Sequence, residues 1–317
     1  MTIKTLSDWT GAVGTVKLGA TAADGGTRSI SYILGGESDL PFLGDPPSGH
    51  IPLVAFEFCD DPAIWPAVVR EYTGDLSNDP GAWAGAARSD YGADLVRLSL
   101  TSTRRKDFSD YASLKATIHE VLQRCSLPLV IEGSNDPSID SEVFAACGEA
   151  GEGENLLLGT AEAGRYRSVA AAAMAYHHAV IAQSPIDINL AKQLNILLRE
   201  IGVPANRIVV DPYTGALGYG FEYSYSVMER IRYSALKGDT DLAMPMISAP
   251  TDSLTVKEVR DAAPAARQDV AVKWEYYTAL ASAIAGAAIV CVRHPRTVPL
   301  LKNTLAALWG GTTPGKV

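Results

Sequence analysis

The sequence predicts an α/β fold, a (β/α)8 TIM barrel that carries an N-terminal β-hairpin extension. The first observation is that short apolar runs alternate repeatedly with helical segments over most of the chain. The second is that these runs are continuously apolar, which is typical of parallel strands covered on both faces. The third is their number, because eight such runs separated by helices over about 250 residues correspond to one barrel.

Eight apolar runs are the predicted barrel strands. They lie at residues 52–58, 94–100, 128–132, 155–160, 180–183, 207–210, 243–247 and 288–292. An open doubly wound sheet is the alternative architecture, but that fold needs a glycine-rich turn after its first strand. The first strand here runs through Phe58 and Cys59 into Asp60 without a glycine, so the sequence favours the barrel.

Helical spacing separates the predicted strands. Residues 111–124 place apolar side chains at Leu114, Ile118 and Val121, which share one face of a helix. Residues 188–201 repeat this pattern and stop before a glycine, a residue that favours helix ends. Further helices are predicted at 274–285 and 298–308.

The pair His177-His178 lies in an alanine-rich stretch, residues 169–179, that is predicted to be helical. We therefore interpret the pair as packing residues rather than as metal ligands.

The first 50 residues follow a different pattern. Residues 14–20 and 27–34 are strand-like and flank the turn sequence AADGG. We predict a hairpin that covers the N-terminal end of the barrel or extends a partner surface. Residues 40–50 contain three prolines and two glycines, the composition of a connector. The predicted domains are 1–50, the hairpin and connector, and 51–317, the barrel.

Composition and charge exclude several classes of function. Apolar residues make up 47% of the 317 residues, enough to bury a sizeable core. The net charge of -9 and the pI near 5.1 argue against a nucleic-acid partner, which needs a basic face. We expect no membrane association, because no apolar run reaches the length of a membrane span. The N-terminus lacks the apolar core of a signal peptide, so a cytoplasmic protein is predicted.

The cysteines do not form a recognisable cluster. Cys59, Cys125, Cys147 and Cys291 are all separated by more than 20 residues. An iron–sulfur cluster needs closely spaced thiolates, and disulfides are rare in cytosolic proteins. We interpret the four as buried small side chains and predict no metal site on this chain.

The predicted strand ends carry hydroxyls, amides and a few carboxylates, and barrel enzymes keep their sites at this edge. The candidate binding residues of this mouth are Thr101, Ser102, Ser134, Asn135, Asp136, Ser184, Asn189, Asp211, Tyr213, Gly218, Tyr219 and Gly220. No predicted strand ends in lysine, so a Schiff-base aldolase has little support. His294 is the only histidine at a strand end, which disfavours a zinc site of several histidines. No catalytic residue is assigned.

The segment 209–232 is the most informative part of this mouth. An apolar strand runs into Asp211-Pro212, a glycine-rich loop follows at 215–220, and a helix continues through Arg232. The glycine spacing is not G-x-G-x-x-G, which disfavours a phosphate-binding loop. The glycines instead allow close backbone approach to a ligand or a neighbour. Asp211 is either a base or a residue that shapes its own turn.

Several motifs together give the chain a family resemblance. They are Glu132-Gly133-Ser134, Ala175-Tyr176-His177-His178, Ser184-Pro185-Ile186-Asp187-Ile188-Asn189, Asp211-Pro212, Met228-Glu229-Arg230-Ile231, Trp274-Glu275 and His294-Pro295. Over roughly residues 50–310 the chain resembles the small subunit of the corrinoid iron–sulfur protein, the delta subunit family of the acetyl-CoA decarbonylase/synthase complex. It departs from that family before Lys257-Glu258, where a tryptophan-containing segment is usual.

The resemblance implies a TIM barrel that pairs with a larger subunit. That large subunit would bind the corrinoid and hold a 4Fe–4S cluster, and the cobalamin would lie at the subunit interface against the mouth residues named above. The complex would take a methyl group from a methylated pterin through a methyltransferase. It would pass the group to acetyl-CoA synthase, associated with CO dehydrogenase, in the Wood–Ljungdahl pathway of anaerobes. Such a chain needs no general acid or nucleophile of its own.

Two other functions remain open from the residues. One is a free-standing methyltetrahydrofolate- or pterin-dependent corrinoid methyltransferase, which would use Asp136, Asn189 and Asp211 to bind the pterin. The other is a small-molecule lyase or isomerase with Glu132 or Asp211 as its base.

Overall fold

An antiparallel hairpin precedes the barrel. The computed structural model describes residues 9–40, 50–105 and 107–309. The hairpin strands are β1 (Val16–Leu18) and β2 (Tyr32–Leu34), so the predicted hairpin is confirmed. Residues 41–49 of the predicted connector and residues 310–317 of the predicted barrel domain lie outside the described residues.

Eight parallel strands close into a barrel. They are β3 (Leu53–Cys59), β4 (Leu95–Ser99), β5 (Leu129–Glu132), β6 (Leu157–Ala161), β7 (Ala179–Gln183), β8 (Ile208–Asp211), β9 (Met246–Ser248) and β10 (Ala287–Val292). Each strand pairs with the next one along the chain, and β10 closes the ring against β3. The predicted TIM barrel with an N-terminal hairpin is therefore confirmed.

Helices connect successive strands on the outside of the barrel. They are α1 (Ala67–Thr73), α2 (Pro80–Ser89), α3 (Tyr111–Arg124), α4 (Asp140–Ala150), α5 (Tyr166–Ala175), α6 (Ile188–Glu200), α7 (Phe221–Leu236), α8 (Lys257–Arg260), α9 (Pro264–Ile284) and α10 (Thr297–Leu308). The helices predicted at 111–124, 188–201 and 298–308 are confirmed. The helix predicted at 274–285 begins earlier, at Pro264, a residue favoured in the first helical turn. In the described part of the chain, every helix is too short or too polar to cross a membrane.

Two local predictions are wrong in their boundaries. The seventh barrel strand is Met246–Ser248 rather than 243–247, because Pro245 has no N–H with which to extend the ladder. The helix predicted over 169–179 ends at Ala175, since His177 takes a left-handed φ of 60° that a helix cannot continue.

His178 has the packing role that the sequence suggested. Its side chain is buried, and Nδ1 accepts a hydrogen bond from the Leu156 N–H at 3.2 Å. The Nε2–H donates to the Gly148 carbonyl oxygen at 3.0 Å. Burial also lowers the pKa of His178, which keeps the ring neutral and suited to this interior position.

The lower part of the barrel interior is apolar and is sealed by the hairpin. Inward side chains alternate along each strand, and those near the strand beginnings form one apolar cluster. Hairpin residues Val16, Leu18, Tyr32 and Leu34 complete that cluster, and none is more than 4% exposed. The hairpin therefore covers the N-terminal end of the barrel, as one of the two sequence predictions proposed.

Truncating Leu34 to alanine should lower the free energy of unfolding by about 2–5 kcal/mol, because it removes a buried side chain and leaves a cavity. Ile33→Ala is the matched control, since Ile33 lies on the other face of the same strand and is only half-buried. Urea denaturation of both variants measures the difference. Equal losses would contradict the sealing role of the hairpin.

Candidate functional site at the barrel mouth

The upper part of the barrel interior is charged. We use the term charged layer for Glu57, Arg97, Glu132, Arg104 and Arg293, which lie at or just beyond the C-terminal halves of the strands. Glu57 and Arg97 occupy paired positions on β3 and β4. Because side chains alternate along a strand, the inward face of β3, β4 and β5 changes from apolar to charged two residues further along, at Glu57, Arg97 and Glu132. The layer therefore forms the floor of the mouth.

Arginine and carboxylate groups neutralise each other within the charged layer. Nη1 of Arg97 lies 2.8 Å from Glu57 Oε2, and its Nη2 lies 3.3 Å from Glu132 Oε2. Nη2 of Arg293 lies 2.5 Å from Glu57 Oε1. Nη2 of Arg104 lies 3.2 Å from Glu132 Oε1. Both carboxylates are thus held by two guanidinium groups each.

Glu132 is a poor candidate for a catalytic base. Burial alone would raise its pKa, but the guanidinium groups of Arg97 and Arg104 lower the pKa of Glu132 to about 2. A general base works best when its pKa lies near the working pH. A carboxylate held this far below neutrality has little tendency to take a proton, which argues against the lyase or isomerase alternative at this residue.

Asp211 ends β8 and shapes the loop that follows it. Its Oδ2 accepts a hydrogen bond from Gln183 Nε2 at 2.8 Å, and its Oδ1 accepts one from the Tyr213 N–H at 2.8 Å. Burial raises the pKa of Asp211, and the bond from Gln183 opposes that shift. Bonding to the backbone two residues ahead is the geometry of an aspartate that fixes its own turn. Tyr213 is held there at a left-handed φ of 64°.

Thr101 and Ser102, two of the candidate residues, are bonded to Asp60. The Thr101 hydroxyl and the Ser102 N–H each lie 2.9 Å from Asp60 Oδ1. The Ser102 hydroxyl donates to the other carboxylate oxygen of Asp60. Ser184, a third candidate hydroxyl residue, is completely buried at the end of β7. The structure thus turns these side chains toward the protein.

Asn135 joins the charged layer to a second ion pair. Its Nδ2 donates to Glu132 Oε1 at 3.1 Å, and its Oδ1 accepts from Arg165 Nη2 at 2.9 Å. Arg165 also pairs with the buried Asp140 at 2.9 Å, and the Ser134 hydroxyl donates to that same carboxylate. The exposed Asn135 is consequently held at a left-handed φ of 62° on the mouth surface.

Two further candidate residues are exposed at helix beginnings. Asp136 accepts hydrogen bonds from the Ser138 N–H at 2.9 Å and from its hydroxyl at 2.7 Å, just before α4. Asn189 lies in the first turn of α6, where its N–H donates to Asp187 Oδ1 at 2.8 Å. Asp136 lies in the loop after β5 and Asn189 in the first turn of the helix after β7, so the two side chains belong to separate segments.

The loops after β7, β8 and β9 form a cleft at the edge of the mouth, which we call the rim cleft. It has a volume of 440 Å³. It brings together three candidate residues, Tyr213, Tyr219 and Gly220. Tyr213 donates to Asp252 Oδ2 at 3.3 Å, and the Tyr219 hydroxyl lies 2.8 Å from Glu258 Oε2. The two phenols thus join the β8–α7 loop to the segment after β9, while their rings stay 40% and 49% exposed.

Gly218 lies on the far side of the same loop. It takes a left-handed φ of 75°, and a Cβ added there would lie 3.6 Å from Cη2 of Trp274. The loop therefore contacts α9 as well as the rim cleft.

Arg97 and Arg293 were not among the residues predicted for the site. The signal was present, because Arg97 interrupts an otherwise apolar predicted strand and can be tolerated there only if it is paired. Glu57 interrupts the first strand in the same way. Two opposite charges at equivalent depths of adjacent parallel strands predict an ion pair inside the barrel.

Glu275, on α9, positions Arg293 from outside the barrel. It is buried, and its two oxygens accept hydrogen bonds from the Arg293 N–H at 2.7 Å and the His294 N–H at 3.1 Å. His294 Nε2 lies 2.8 Å from Gln268 Oε1, and burial together with Arg296 lowers its pKa to about 4. The segment that delivers Arg293 to the charged layer is therefore fixed from behind.

Glu275 makes stability depend on pH. Burial raises its pKa from 4.5 to about 7. A carboxyl group whose folded pKa is raised contributes stability below pH 4.5 that is lost as the pH rises through about 7. Glu275→Gln should remove this loss, on the order of 3 kcal/mol. Urea unfolding of the unsubstituted protein and the variant at pH 5 and pH 8 measures this loss. Subtracting the pH dependence of the variant from that of the unsubstituted protein removes the contribution of His294, which has the opposite sign. An unchanged pH dependence would contradict the assignment.

Known proteins resemble this chain both in sequence and in fold. Residues 15–289 match the model of the CO dehydrogenase/acetyl-CoA synthase delta subunit family. The chain belongs to this family. Subunit delta 1 of the acetyl-CoA decarbonylase/synthase complex of Methanosarcina thermophila is 36% identical in an alignment of 320 positions that covers 97% of this chain and 73% of that protein. Subunit delta of the complex of Methanothermobacter thermautotrophicus is 39% identical, over 94% of this chain and 76% of that protein. The family resemblance stated from the motifs is thus confirmed.

Solved structures support the fold of this family member. The dihydropteroate synthase of Coxiella burnetii in complex with pteroic acid has a TM-score of 0.58 and 13% identity, over 93% of this chain and 99% of that chain. The Xanthomonas albilineans enzyme with 4-aminobenzoic acid has a TM-score of 0.57 and 17% identity, over 81% and 93%. At such identities the likeness concerns the barrel architecture alone.

The four cysteines are free and buried. Burial raises the pKa of the thiols of Cys59, Cys125, Cys147 and Cys291, so all four are protonated at neutral pH. Among residues 9–40, 50–105 and 107–309, histidine, cysteine, aspartate and glutamate side chains form no group of three or more suited to a metal ion.

Proposed function

We propose that this chain is the small subunit of a heterodimeric corrinoid iron–sulfur protein and that its barrel mouth covers a cobalamin held mainly by the large subunit. The observation that carries the proposal is the family membership, with delta subunits of acetyl-CoA decarbonylase/synthase complexes matching 94–97% of the chain. Within that family, the charged layer supports a covering role for this chain.

The charged layer favours a covering role over a catalytic one. Its carboxylates are each held by two guanidinium groups, and Asp211 is used by its own loop. Groups paired in this way are poorly placed to exchange protons with a substrate. The floor instead suits a large polar ligand lying across the mouth, because its three guanidinium groups and two carboxylates leave a net charge of only about one to be desolvated.

The mouth also fits the chemistry of a corrinoid. The periphery of the macrocycle carries amide groups, and its faces are broad and largely apolar. Exposed amides and phenols at the mouth can bond the periphery, and exposed rings can pack against a face. The residues we expect to hold it are Asn135, Asn189, Tyr213 and Tyr219, with Gly220 allowing close approach. Bound there, the corrinoid would supply the methyl-carrying cobalt.

The partners follow from the same proposal. The 4Fe–4S cluster belongs to the large subunit, because the thiols of this chain are buried and protonated. The methyl group comes from a methylated pterin through a methyltransferase and passes to acetyl-CoA synthase, in association with CO dehydrogenase. The barrel excludes water from the reactive centre while the large subunit moves between those partners.

The test is anaerobic co-expression of this chain with the large subunit, followed by purification through a tag on this chain. We expect a stable heterodimer whose absorbance shows one corrinoid and one iron–sulfur cluster, while the chain alone binds corrinoid weakly. Calorimetric titration of the chain with a methylated tetrahydropterin tests the free-standing methyltransferase alternative. Tight corrinoid or pterin binding by the chain alone, or failure to pair with the large subunit, would overturn the proposal.

A further inference from the structure

The outer face of α9 reverses the usual pattern of a surface helix. The stripe of α9 that packs against the barrel is small or polar, including Ala271, Glu275, Thr278 and Ser282. The larger apolar side chains lie on the other side of the helix, at positions spaced as one helical stripe. That outer stripe consists of Trp274, Tyr277, Leu280, Ala281 and Ile284. Trp274 and Leu280 also pack against the main core, so Tyr277 is the most exposed member of the stripe.

The outer stripe is one wall of a groove. The groove has a volume of 540 Å³, and Leu217 from the β8–α7 loop forms part of its other wall. The Leu217 N–H lies 3.4 Å from the Thr278 hydroxyl, which fixes the loop against α9. Tyr277 is 56% exposed within it. We call this feature the α9 groove.

The α9 groove is continuous with the barrel mouth. The Tyr219 ring packs edge-on against Trp274, with 6.4 Å between ring centroids and an interplanar angle of 67°. Tyr219 also lines the rim cleft, so one side chain belongs to both surfaces. The Tyr219 ring therefore connects the rim cleft to the α9 groove, so a protein lying over the mouth can extend along α9.

The charges around the groove favour a different protein over a second copy of this chain as its occupant. Lys273 lies in the groove, and Lys257 and Arg260 line the adjoining rim cleft. The nearby carboxylates Asp252 and Glu258 are bonded to the hydroxyls of Tyr213 and Tyr219. These cations stand on a chain with a net charge of -9. Two copies of an acidic chain repel each other, which disfavours self-association. A different protein that places apolar side chains in the groove and carboxylates beside these cations is complementary to the surface.

We infer that the α9 groove is a docking surface for an apolar, carboxylate-flanked segment of the large subunit, separate from the contact that the mouth makes with the cofactor. This inference rests on the proposed function for the identity of the partner. It divides the interface in two, because the mouth would contact the corrinoid and the groove would contact only protein. Aromatic side chains in such a groove are the usual anchors of an interface.

The two contacts can be separated by using the large subunit with and without corrinoid. Tyr277→Glu places a charge in the groove, and its exposed position leaves the fold intact. The dissociation constant of the heterodimer should rise roughly tenfold or more, equally for the corrinoid-loaded and the corrinoid-free large subunit. Leu300→Glu is the matched control, since Leu300 is an apolar residue on α10 that is 47% exposed, and it should change the constant less than about twofold.

A photo-cross-linking amino acid at position 277 gives a second measurement on the assembled heterodimer. Cross-links to the large subunit support the inference. Cross-links to a second copy of this chain, or none at all, overturn it, as does an unchanged dissociation constant in Tyr277→Glu. If the heterodimer contained no corrinoid, the proposed function would be overturned. If Tyr277→Glu still weakened that heterodimer, the docking surface would nevertheless be supported.

Discussion

Replacing Arg97 with methionine should lower the free energy of unfolding by about 3–5 kcal/mol, because it leaves two carboxylates in the barrel interior without their shared partner. Arg97 and Glu57 are both nearly or completely buried, and Arg97 bridges Glu57 and Glu132. Methionine preserves most of the side-chain volume, so the loss reports on charge rather than on a cavity. Urea denaturation at pH 7 is the measurement.

Arg124→Met is the control for this prediction. Arg124 forms ion pairs with Asp79 and Glu120 at 2.9 and 3.0 Å, and all three side chains are about half exposed. Such surface pairs contribute little, typically about 0–1 kcal/mol. If Arg97→Met cost no more than Arg124→Met, the charged layer would not be holding the upper barrel together.

The same network makes a signed prediction for acid. The folded pKa of Glu132 is about 2, against 4.5 for the unconstrained side chain. Its contribution to stability is therefore present above pH 4.5 and lost as the pH falls toward about 2. In Arg97→Met the folded pKa of Glu132 should move upward, so this acid-dependent loss should become smaller. Unfolding curves collected between pH 3 and pH 7 test the change.

The barrel could be predicted from the sequence because its strands are uniform. Parallel strands covered on both faces are continuously apolar, and helices with regular spacing separate them. The prediction lost accuracy where one residue overrides the local pattern. Pro245 delays β9, and the left-handed His177 ends α5 before the alanine-rich stretch does. A missing N–H decided the first boundary and a single backbone conformation decided the second, and average composition carries little information about either.

The mouth was harder to predict, because residue type does not determine which groups are already used. Thr101 and Ser134 are polar residues at strand ends, as a binding site requires, yet their hydroxyls are bonded to Asp60 and Asp140. The central pairing through Arg97 depends on three adjacent strands, with Glu57 opposite Arg97 and Glu132 opposite Ser99. Such a pairing follows from the strand register, which no local sequence pattern specifies.

Replacing Tyr213 with alanine should weaken the heterodimer about 30-fold when the large subunit carries corrinoid, and hardly at all when it does not. Tyr213 is 40% exposed and is held in one orientation by its left-handed backbone and by its bond to Asp252. A rigid exposed ring at an interface is the kind of residue whose loss costs about 2 kcal/mol, which is the stated change in the dissociation constant. Calorimetry with both forms of the large subunit is the measurement.

Tyr223→Ala is the control for the mouth, because Tyr223 is 62% exposed in the first turn of α7 and does not line the rim cleft. Tyr213→Phe separates the two properties of the side chain, since it keeps the ring and removes the bond to Asp252. We expect the phenylalanine variant to retain most of the affinity, because the hydroxyl is already bonded to Asp252 and the exposed ring is the part left to contact a cofactor. If Tyr213→Ala weakened both forms of the heterodimer equally, Tyr213 would contact protein, and the covering role of the mouth would have to be assigned to other residues.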